Sequence, residues 1–540
     1  MLQAFFTRAP SAQLVSGLVA TALVAALYSA RCKARKDAEA KLHPNKDTPV
    51  PTSYISGGLP VLGHTLDMAR NADRFLDWLL ELAEARGGKP FKLRLLGRSD
   101  LLVTAVPEHH EHIFKTQFDN FIKGDQFYEL LVDVAGPNVV IIDGERWKYQ
   151  RKVLAKLFTA RVLREHMMPI VAKHTRVLLN IFEQAAEKQT PLELCELMHG
   201  FTLDSFAEIG FGSELRTLKS GHDHPFGRAL DDALHIAAAR RMVPRWLWKA
   251  KRWLNVGSER QLRESVRVMD SLIMGIILEA IAKSKQRGYE VEEQEKRNSG
   301  HDIVSIILDR MKADGNDVEP SEIRSLALLS LIAGRDTTAN AMCWILHMLH
   351  EHPRVEQKLR AELLEKLPKL ALEEDYLPSL DDLQDLPYVD AVINETLRLL
   401  PIFPFTTRQC VRDTVFPDGT FVRAGTILGL PRYVLARLKM YWGEDAADFV
   451  PERFLDATSG KLVDLPAAST NAFGAGPRIC VGRRLATMEM KLLVSCIVAR
   501  YHLAELPGQT VRYKLAMSLS MKDPLMMNVE HVNRKVGESA

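Results

Sequence analysis

Residues 473–482 read FGAGPRICVG and contain the most informative cysteine of the chain, Cys480. Two glycines and a proline in this stretch predict a tight loop, because glycine tolerates unusual backbone angles and proline fixes φ. The stretch from Arg484 to Leu493 that follows has helical periodicity. Cys480 is therefore expected where a loop enters a helix, and the backbone N–H groups and helix dipole there favour a thiolate over a thiol.

Two other interpretations of this stretch exist. A buried structural thiol is the commonest role of a lone cysteine, and taken alone Cys480 would be interpreted in that way. Gly474 and Gly476 also form a Gly-x-Gly pair, as at the start of a dinucleotide-binding loop, but the third glycine of that motif is absent.

The stretch resembles the haem-binding signature of the cytochrome P-450 family, Phe-x-x-Gly-x-Arg-x-Cys-x-Gly, at every fixed position. The resemblance extends over about residues 60 to 530. It implies a haem b cofactor with Cys480 as the axial thiolate ligand of the iron, and Phe473 and Arg478 beside the haem. A thiolate ligand pushes electron density to the iron and favours O–O cleavage.

Long amphipathic windows predict a mainly α fold with a small β region, and the resemblance implies the cytochrome P-450 fold. Helices are predicted at Asp143–Ala160, Glu259–Gln286, Pro320–Glu351 and Arg354–Lys366. Strands are predicted at Lys92–Leu96, at Leu101–Ala105, and at Val415–Ile427 around a Pro-Asp-Gly turn. The stretch Arg287–Gly300 lacks apolar periodicity and is predicted to be a surface loop.

The N-terminal residues predict a membrane anchor. Residues 14–30 are uncharged and just long enough to cross a bilayer. Cations are more frequent after this run than before it, which places the body in the cytoplasm. The chain is thus divided into a short tail (1–13), a transmembrane helix (14–30), a basic and Pro-rich linker (31–60) and a haem-thiolate catalytic domain (61–540).

The expected location is the endoplasmic reticulum membrane, with a single pass. A mitochondrial membrane is the alternative, because no acidic residue precedes Asp37. A cleaved signal peptide is disfavoured, since Tyr28-Ser29-Ala30 makes a poor cleavage site.

Three further motifs follow the order of the same family. Glu395 and Arg398 lie three residues apart and can pair on one helix face, most often as a surface salt bridge. The resemblance instead implies a buried structural network, to which Arg453 supplies the second arginine.

Gly334, Asp336 and Thr337 interrupt an otherwise apolar helix, where glycine and hydroxyls are poor choices. A packing contact is one explanation for Gly334. The resemblance implies the other, a groove for dioxygen at Gly334 with Asp336 and Thr337 relaying protons to it.

Trp147 and Arg151 share a helix face and could donate together to a carboxylate. They resemble the family's clamp on the haem propionates, for which Arg408 and Arg478 are further candidates. The formal net charge of +3 predicts no nucleic-acid partner. Local cations imply a docking face for an NADPH-dependent flavoprotein reductase, and the set comprises Lys148, Lys152, Lys156, Arg483 and Arg484.

The stretch Arg240–Asn255 combines three tryptophans with many cations, which suits a membrane interface, although a core helix with solvated cations is the alternative. Local runs, among them residues 118–124 and 333–339, resemble the fatty-acid and alkane ω-hydroxylase branch. One departure from that branch is Ala135-Gly136-Pro137-Asn138, in the loop expected over the haem.

The predicted function is oxygen insertion into a lipophilic substrate, a long-chain fatty acid at or near its ω end, with O2 and electrons from NADPH through the reductase. Alkanes, sterols and xenobiotics are alternative substrates. A reductase-independent haem enzyme that rearranges hydroperoxides and a non-catalytic haem carrier or sensor are alternative functions. Two histidine groups, 109/110/112 and 347/350/352, are predicted to lie on polar helix surfaces without a metal, since neither forms H-E-x-x-H.

Overall fold

The computed structural model describes residues 52–220, 224–287, 319–463 and 472–532, together with residues 304, 307 and 465. The predicted tail, the anchor and most of the linker lie outside the described residues, as does the loop 288–300. Among the residues that are described, no helix is both long and apolar enough to span a bilayer. The N-terminal anchor therefore stays a prediction.

Helices form most of the described chain, as predicted. In chain order they are α1 (Thr65–Arg70), α2 (Phe75–Glu84), α3 (Pro107–Glu111), α4 (Gly124–Ala135), α5 (Gly144–Leu157), α6 (Ala160–Val162), α7 (Met168–Lys188), α8 (Leu194–Phe211), α9 (Thr217–Ser220), α10 (Pro225–Ala239), α11 (Arg245–Leu254), α12 (Ser258–Arg287), α13 (Pro320–Glu351), α14 (Pro353–Lys366), α15 (Lys369–Leu372), α16 (Pro387–Leu399), α17 (Arg432–Leu435), α18 (Lys439–Trp442) and α19 (Arg483–Arg500).

Strands are short and form small sheets. They are β1 (Phe91–Leu93), β2 (Leu101–Val103), β3 (Phe121–Ile122), β4 (Leu192–Glu193), β5 (Phe405–Cys410), β6 (Thr414–Val415), β7 (Phe421–Val422), β8 (Ile427–Pro431), β9 (Tyr501–Glu505), β10 (Tyr513–Leu515), β11 (Leu519–Met521) and β12 (Met526–His531). Within the described ranges, one sheet has the order β1-β2-β8-β5-β3, with only β2 and β8 parallel, and another has the order β4-β12-β9. Two hairpins, β6-β7 and β10-β11, complete the set in these ranges.

Helix α13 is the centre of the core. It packs against α8, α12, α16 and α19, and it is apolar around most of its circumference, as a helix buried on several sides must be. Its bounds agree with the sequence prediction, because Pro320 suits the first helical turn and Pro353 disfavours helical geometry at the residue before it. The predicted helices α5, α12 and α14 are also confirmed, with ends shifted by a few residues.

The predicted strand pair within Val415–Ile427 is only partly correct. The segments on either side of the turn pair as β6 and β7. Ile427, however, begins β8, which belongs to the five-stranded sheet. Gly425 separates the two, since its φ of +82° turns the backbone and its N–H donates to the Cys410 carbonyl at 2.7 Å. The pairing partner of each strand depends on this turn, which periodicity does not encode.

The prediction of surface positions was wrong for His109 and His110, which are buried. His110 Nε2 lies 3.0 Å from the Thr104 carbonyl, and burial lowers the pKa of His110 to about 4. Of the second group, His347 Nδ1 lies 2.5 Å from a Glu505 carboxylate oxygen, and possible ligand atoms of these two residues and Glu351 lie within 4.8 Å of one another. That neither group binds a metal stays a prediction.

Candidate active site

Cys480 lies in a loop that leads into α19, as the sequence predicts. Residues 476–478 form a single 3-10 turn, and the Cys480 N–H donates to the Phe473 carbonyl at 2.8 Å, which closes the loop. Gly476 has a φ of +64°, and a Cβ at this position would collide with the Phe114 carbonyl oxygen. Glycine is therefore required for the loop to pack against the segment that contains Phe114.

The Cys480 thiol is accessible to solvent, yet burial among protein atoms raises its pKa. The N–H groups of Gly482 and Arg483 and the charge of Arg151 lower the pKa, but burial outweighs them. The backbone groups act in the direction that the sequence predicts, and the thiolate itself stays a prediction. A metal ion in contact with the sulfur would favour the thiolate further.

Four cations lie close to one another in this region of the protein. They are Lys123, Arg408, Arg432 and Arg478. Burial lowers the pKa of Arg408 to about 9 and that of Arg432 and Arg478 to about 10, and it lowers the pKa of Lys123 strongly. Among the described groups, Asp143 is the carboxylate that offsets this charge. Its Oδ1 accepts from Arg478 Nη2 at 2.6 Å.

The cation cluster (Lys123, Arg408, Arg432 and Arg478) carries more positive charge than the described part of the chain neutralises. The Nε atoms of Arg432 and Arg478 are buried without a hydrogen-bond partner among the described residues. Such groups cost free energy unless a ligand satisfies them. An anion with two carboxylates fits this cluster by charge, and the two propionates of a haem are such groups. The residues present thus fit the cofactor that the sequence resemblance implies.

Trp147 and Arg151 both contribute to this region, in different ways. The Arg478 guanidinium stacks on the buried Trp147 ring, 4.5 Å from its centroid. Burial lowers the pKa of Arg151, and the nearby Cys480 partly offsets that effect. Arg151 therefore lies close enough to the thiol to interact with it electrostatically, whereas Trp147 belongs with the cation cluster.

The sequence prediction missed Lys123 and Arg432 as members of the site. Lys123 directly precedes α4, and Arg432 follows β8 at the first residue of α17. A single cation next to apolar residues was the available signal at Arg432, in the run LGLPRYVLA. That signal does not show which other cations lie nearby.

The three motif residues of α13 have different surroundings. A Cβ at Gly334 would collide with the Phe206 ring of α8, so the glycine is needed where these helices meet. This supports the packing explanation for Gly334, and the dioxygen groove stays a prediction. The Thr337 hydroxyl donates to the Ala333 carbonyl at 2.6 Å, and the Asp336 carboxylate accepts from Arg335 Nη1 at 2.8 Å.

Glu395, Arg398 and Arg453 form a buried network, so the surface salt bridge that spacing alone favours is excluded. Arg398 donates to both Glu395 oxygens, with distances of 2.6 and 2.8 Å, and Arg453 Nε donates to Glu395 at 3.2 Å. The Val450 N–H donates to the same carboxylate at 2.9 Å. Arg398 also donates to the carbonyls of Ala436 and Ala446. The network therefore fixes the chain that follows α18 against α16.

A buried carboxyl that the sequence prediction missed lies on α19. Glu489 is fully buried, and burial raises its pKa to about 8. The Thr338 hydroxyl of α13 lies near it and lowers this pKa, although the two groups lack hydrogen-bond geometry and neither has another partner among the described residues. We infer that Glu489 is protonated in the folded protein near neutral pH.

Glu489→Gln is expected to make stability less sensitive to alkaline pH. The folded-state pKa of Glu489 is raised, so its proton stabilises the fold fully at acidic pH, and this contribution is lost as pH rises from the unfolded value to about 8. Between pH 4 and pH 9, which lie on either side of that window, wild type should lose roughly 1–3 kcal/mol more than the variant in chemical unfolding. The control is Glu530→Gln, because Glu530 is an exposed residue of β12. Its free energy of unfolding should change with pH as that of wild type does. Parallel curves for wild type and Glu489→Gln would contradict a protonated Glu489.

The predicted basic face is present near Cys480. Lys148, Lys152 and Lys156 on α5 are exposed, as are Arg483 and Arg484 at the start of α19. The two helices meet here, because the Phe158 ring at the end of α5 lies 3.7 Å from the position that a Gly482 Cβ would take. The end of α5 and the start of α19 therefore lie side by side, and the docking role of these cations stays a prediction.

A cysteine in a loop that leads into a helix, beside a cation cluster suited to two carboxylates, fits a haem-thiolate enzyme. The chain matches the family model "Cytochrome P450" over residues 55–529. It belongs to the cytochrome P450 family, and it is a haem-thiolate monooxygenase.

Relatives and a solved structure agree with this assignment. Cytochrome P450 94A1 of Vicia sativa is 31% identical over 473 residues, which cover 85% of this chain and 87% of the relative. Cytochrome P450 86B1 of Arabidopsis thaliana is 30% identical, with 81% and 78% covered. Noroxomaritidine synthase of Narcissus aff. pseudonarcissus MK-2014 is 33% identical, with 80% and 82% covered. The crystal structure of the cytochrome P450DA heme domain has the same fold, with a TM-score of 0.75 at 21% identity, and the match covers 90% of this chain and 98% of that one.

Proposed function

We propose that the chain hydroxylates a lipophilic substrate, a long-chain fatty acid at or near its ω end, with electrons from NADPH through a separate flavoprotein reductase. The observation that supports the site is the cation cluster beside the Cys480 loop. The substrate class rests on the resemblance of residues 118–124 and 333–339 to the ω-hydroxylase branch.

In this proposal Cys480 would ligate the haem iron, Phe473 would lie beside the haem, and Arg408, Arg478 and Trp147 would hold the propionates. We add Lys123 and Arg432 to this set, because their charges lie in the same cluster. Arg151 would stabilise the charge on the sulfur. When bound, the haem supplies the activation of dioxygen that oxygen insertion into a C–H bond requires.

Proton delivery is assigned to two groups of α13. The Asp336 carboxyl can carry a proton on its oxygen, and the Thr337 hydroxyl can pass one on from its Oγ1. At present that hydroxyl donates to its own helix, so it must rotate to serve this role. A pair of this kind is needed by a monooxygenase and not by an enzyme that only rearranges hydroperoxides.

Substrate access is assigned to the tryptophan-rich helix α11. Trp246 and Trp253 are 62% and 84% exposed, as residues at a lipid interface would be. The sequence predicts that the cations of this stretch lie at the membrane interface. Several of them instead form ion pairs within the protein. Arg240 is buried against Glu259, and Arg245 and Lys249 both bind Glu129. The tryptophans are therefore the groups that we expect to enter the membrane.

We also propose the location: the membrane of the endoplasmic reticulum, with the N-terminal anchor inserted and the catalytic domain cytoplasmic. The exposed α11 tryptophans would then contact the same bilayer. Fluorescence microscopy of the full chain with organelle markers tests this location. Exclusive overlap with a mitochondrial marker would favour the alternative.

The function is tested by reconstituting the full chain with a reductase and NADPH, and supplying fatty acids of several chain lengths, matched alkanes and a sterol. NADPH-dependent product with oxygen at the fatty-acid terminus would support the proposal. Preference for another class would correct the substrate. At about 30% identity the relatives include a noroxomaritidine synthase, so similarity alone does not decide the substrate.

Two further arms separate the other functions. Turnover of a fatty-acid hydroperoxide without NADPH would favour the rearranging enzyme. If no lipid stimulates NADPH consumption, a haem carrier or sensor is favoured and the hydroxylase proposal fails.

Thr337→Ala is expected to lower product formed per NADPH by about 10-fold or more, because a positioned proton donor contributes about 10²–10⁴ to a rate. Electrons should appear as hydrogen peroxide, while haem content is unchanged. Ser330→Ala is the matched control, since the Ser330 hydroxyl makes the same bond to the carbonyl four residues earlier, at 2.9 Å. Full coupling in Thr337→Ala would contradict the proton role.

A further inference from the structure

A buried arginine connects the proposed proton relay with a neighbouring helix. Arg335 of α13 is only 6% exposed in its side chain, and its Nη1 donates to Asp336 at 2.8 Å. The same guanidinium donates to both carboxylate oxygens of Asp231 on α10, with 3.1 Å from Nη2 to Oδ2. One cation is thus shared by two carboxylates from two helices.

The two carboxylates differ in their access to water. The Asp231 side chain is 54% exposed, whereas that of Asp336 is 17% exposed. Asp231, Arg335 and Asp336 therefore form a continuous path from bulk solvent to the segment that contains Thr337. Since an arginine does not release its proton, the path transmits position and charge rather than a proton.

One further titratable group from α8 faces this path, namely His199. Burial lowers the pKa of His199, and the charge of Arg335 lowers it further. A neutral His199 adds no second cation, so the balance among Asp231, Arg335 and Asp336 decides how tightly Asp336 is held.

We propose that Asp231 is a positioning residue for the proton relay, because it engages Arg335 from α10 and so keeps the Asp336 carboxylate free to turn towards Thr337. The inference rests on the proton role proposed above for Asp336 and Thr337. With Asp231 present, Asp336 accepts one hydrogen bond from the shared guanidinium, while Asp231 accepts from both of its terminal nitrogens.

Loss of the Asp231 charge would leave a buried guanidinium with one carboxylate. The planar fork of arginine binds a carboxylate best through two parallel bonds, so Arg335 would clamp Asp336. A clamped carboxylate turns away from its partner less often.

Asp231→Asn in the full-length holoenzyme tests the inference. We expect about 3- to 10-fold more peroxide per NADPH, a smaller effect than a positioned proton donor itself provides, and a larger solvent isotope effect on product formation. Rates are counted per haem, from the carbon monoxide spectrum. Asp232→Asn is the matched control, because Asp232 is the exposed neighbour on the same helix. It should couple as wild type does.

A double variant separates positioning from a structural effect. Adding Arg335→Gln to Asp231→Asn removes the clamp, so coupling should return towards the wild-type value. Wild-type coupling in Asp231→Asn, or no recovery in the double variant, would overturn the inference. If Thr337→Ala is uncoupled while Asp231→Asn is not, this inference alone fails. If Thr337→Ala is fully coupled, the proton role fails and the inference fails with it.

Discussion

Cys480→His is expected to remove the strongly red-shifted Soret band that the reduced protein shows with carbon monoxide, and to replace it by a band of the imidazole type. The ligand would change from a thiolate, which donates electron density to the iron, to a neutral ring nitrogen. We expect NADPH-driven hydroxylation to fall by at least about 100-fold, which corresponds to about 2.7 kcal/mol in the barrier. The measurement is the difference spectrum of the purified protein, followed by turnover per haem.

Cys195→Ala is the matched control for this variant, because Cys195 lies on α8 and not in the Cys480 loop. It should keep the red-shifted band and the activity. An unchanged spectrum in Cys480→His would show that another residue binds the iron. A wild-type protein that folds but shows no haem signal would return Cys480 to the role of a structural thiol.

Glu395→Gln is expected to lower the free energy of unfolding by about 3–5 kcal/mol, because removing one partner leaves buried charges without compensation. Glu395 is the carboxylate that Arg398 and Arg453 share, so the substitution removes the charge that neutralises both while keeping the size of the side chain. Chemical unfolding of the holoprotein measures the loss. Lower haem content should accompany it, because the network fixes the chain between α18 and the Cys480 loop.

A surface ion pair of similar geometry provides the control. Arg164 binds Asp381 with distances of 2.7 and 2.8 Å, but both side chains are more than half exposed. Water already solvates these charges, so Asp381→Asn should change stability much less. Equal losses in the two variants would contradict the view that burial gives the Glu395 network its importance.

The comparison of these two ion pairs shows why residue spacing is a weak guide to whether an ion pair is buried. Glu395 and Arg398 lie three residues apart on a helix, a spacing at which most pairs are exposed and contribute little. The second arginine, the carbonyls that accept from Arg398 and the N–H that donates to Glu395 come from residues 436–453, which sequence order does not place beside α16. Resemblance to a family anticipated the buried network, and helical periodicity by itself did not.

Several features of the protein depend only on local sequence, and the sequence alone determined them. The helices α12, α13 and α14 follow from apolar periodicity and from the prolines at positions 320 and 353, and the loop at Cys480 follows from its glycines and proline. These features rest on contacts between residues close in the chain, whose geometry the residue types restrict directly.

Other features depend on contacts between distant parts of the chain, and only the tertiary structure decided them. The cation cluster brings together residues 123, 408, 432 and 478, and the thiol pKa depends on the atoms that enclose the loop. One of the two carboxylate partners of Arg335 is Asp231, which lies 104 residues away. Burial and charge balance are sums over neighbours in space, and a linear pattern does not specify those neighbours until the chain has folded.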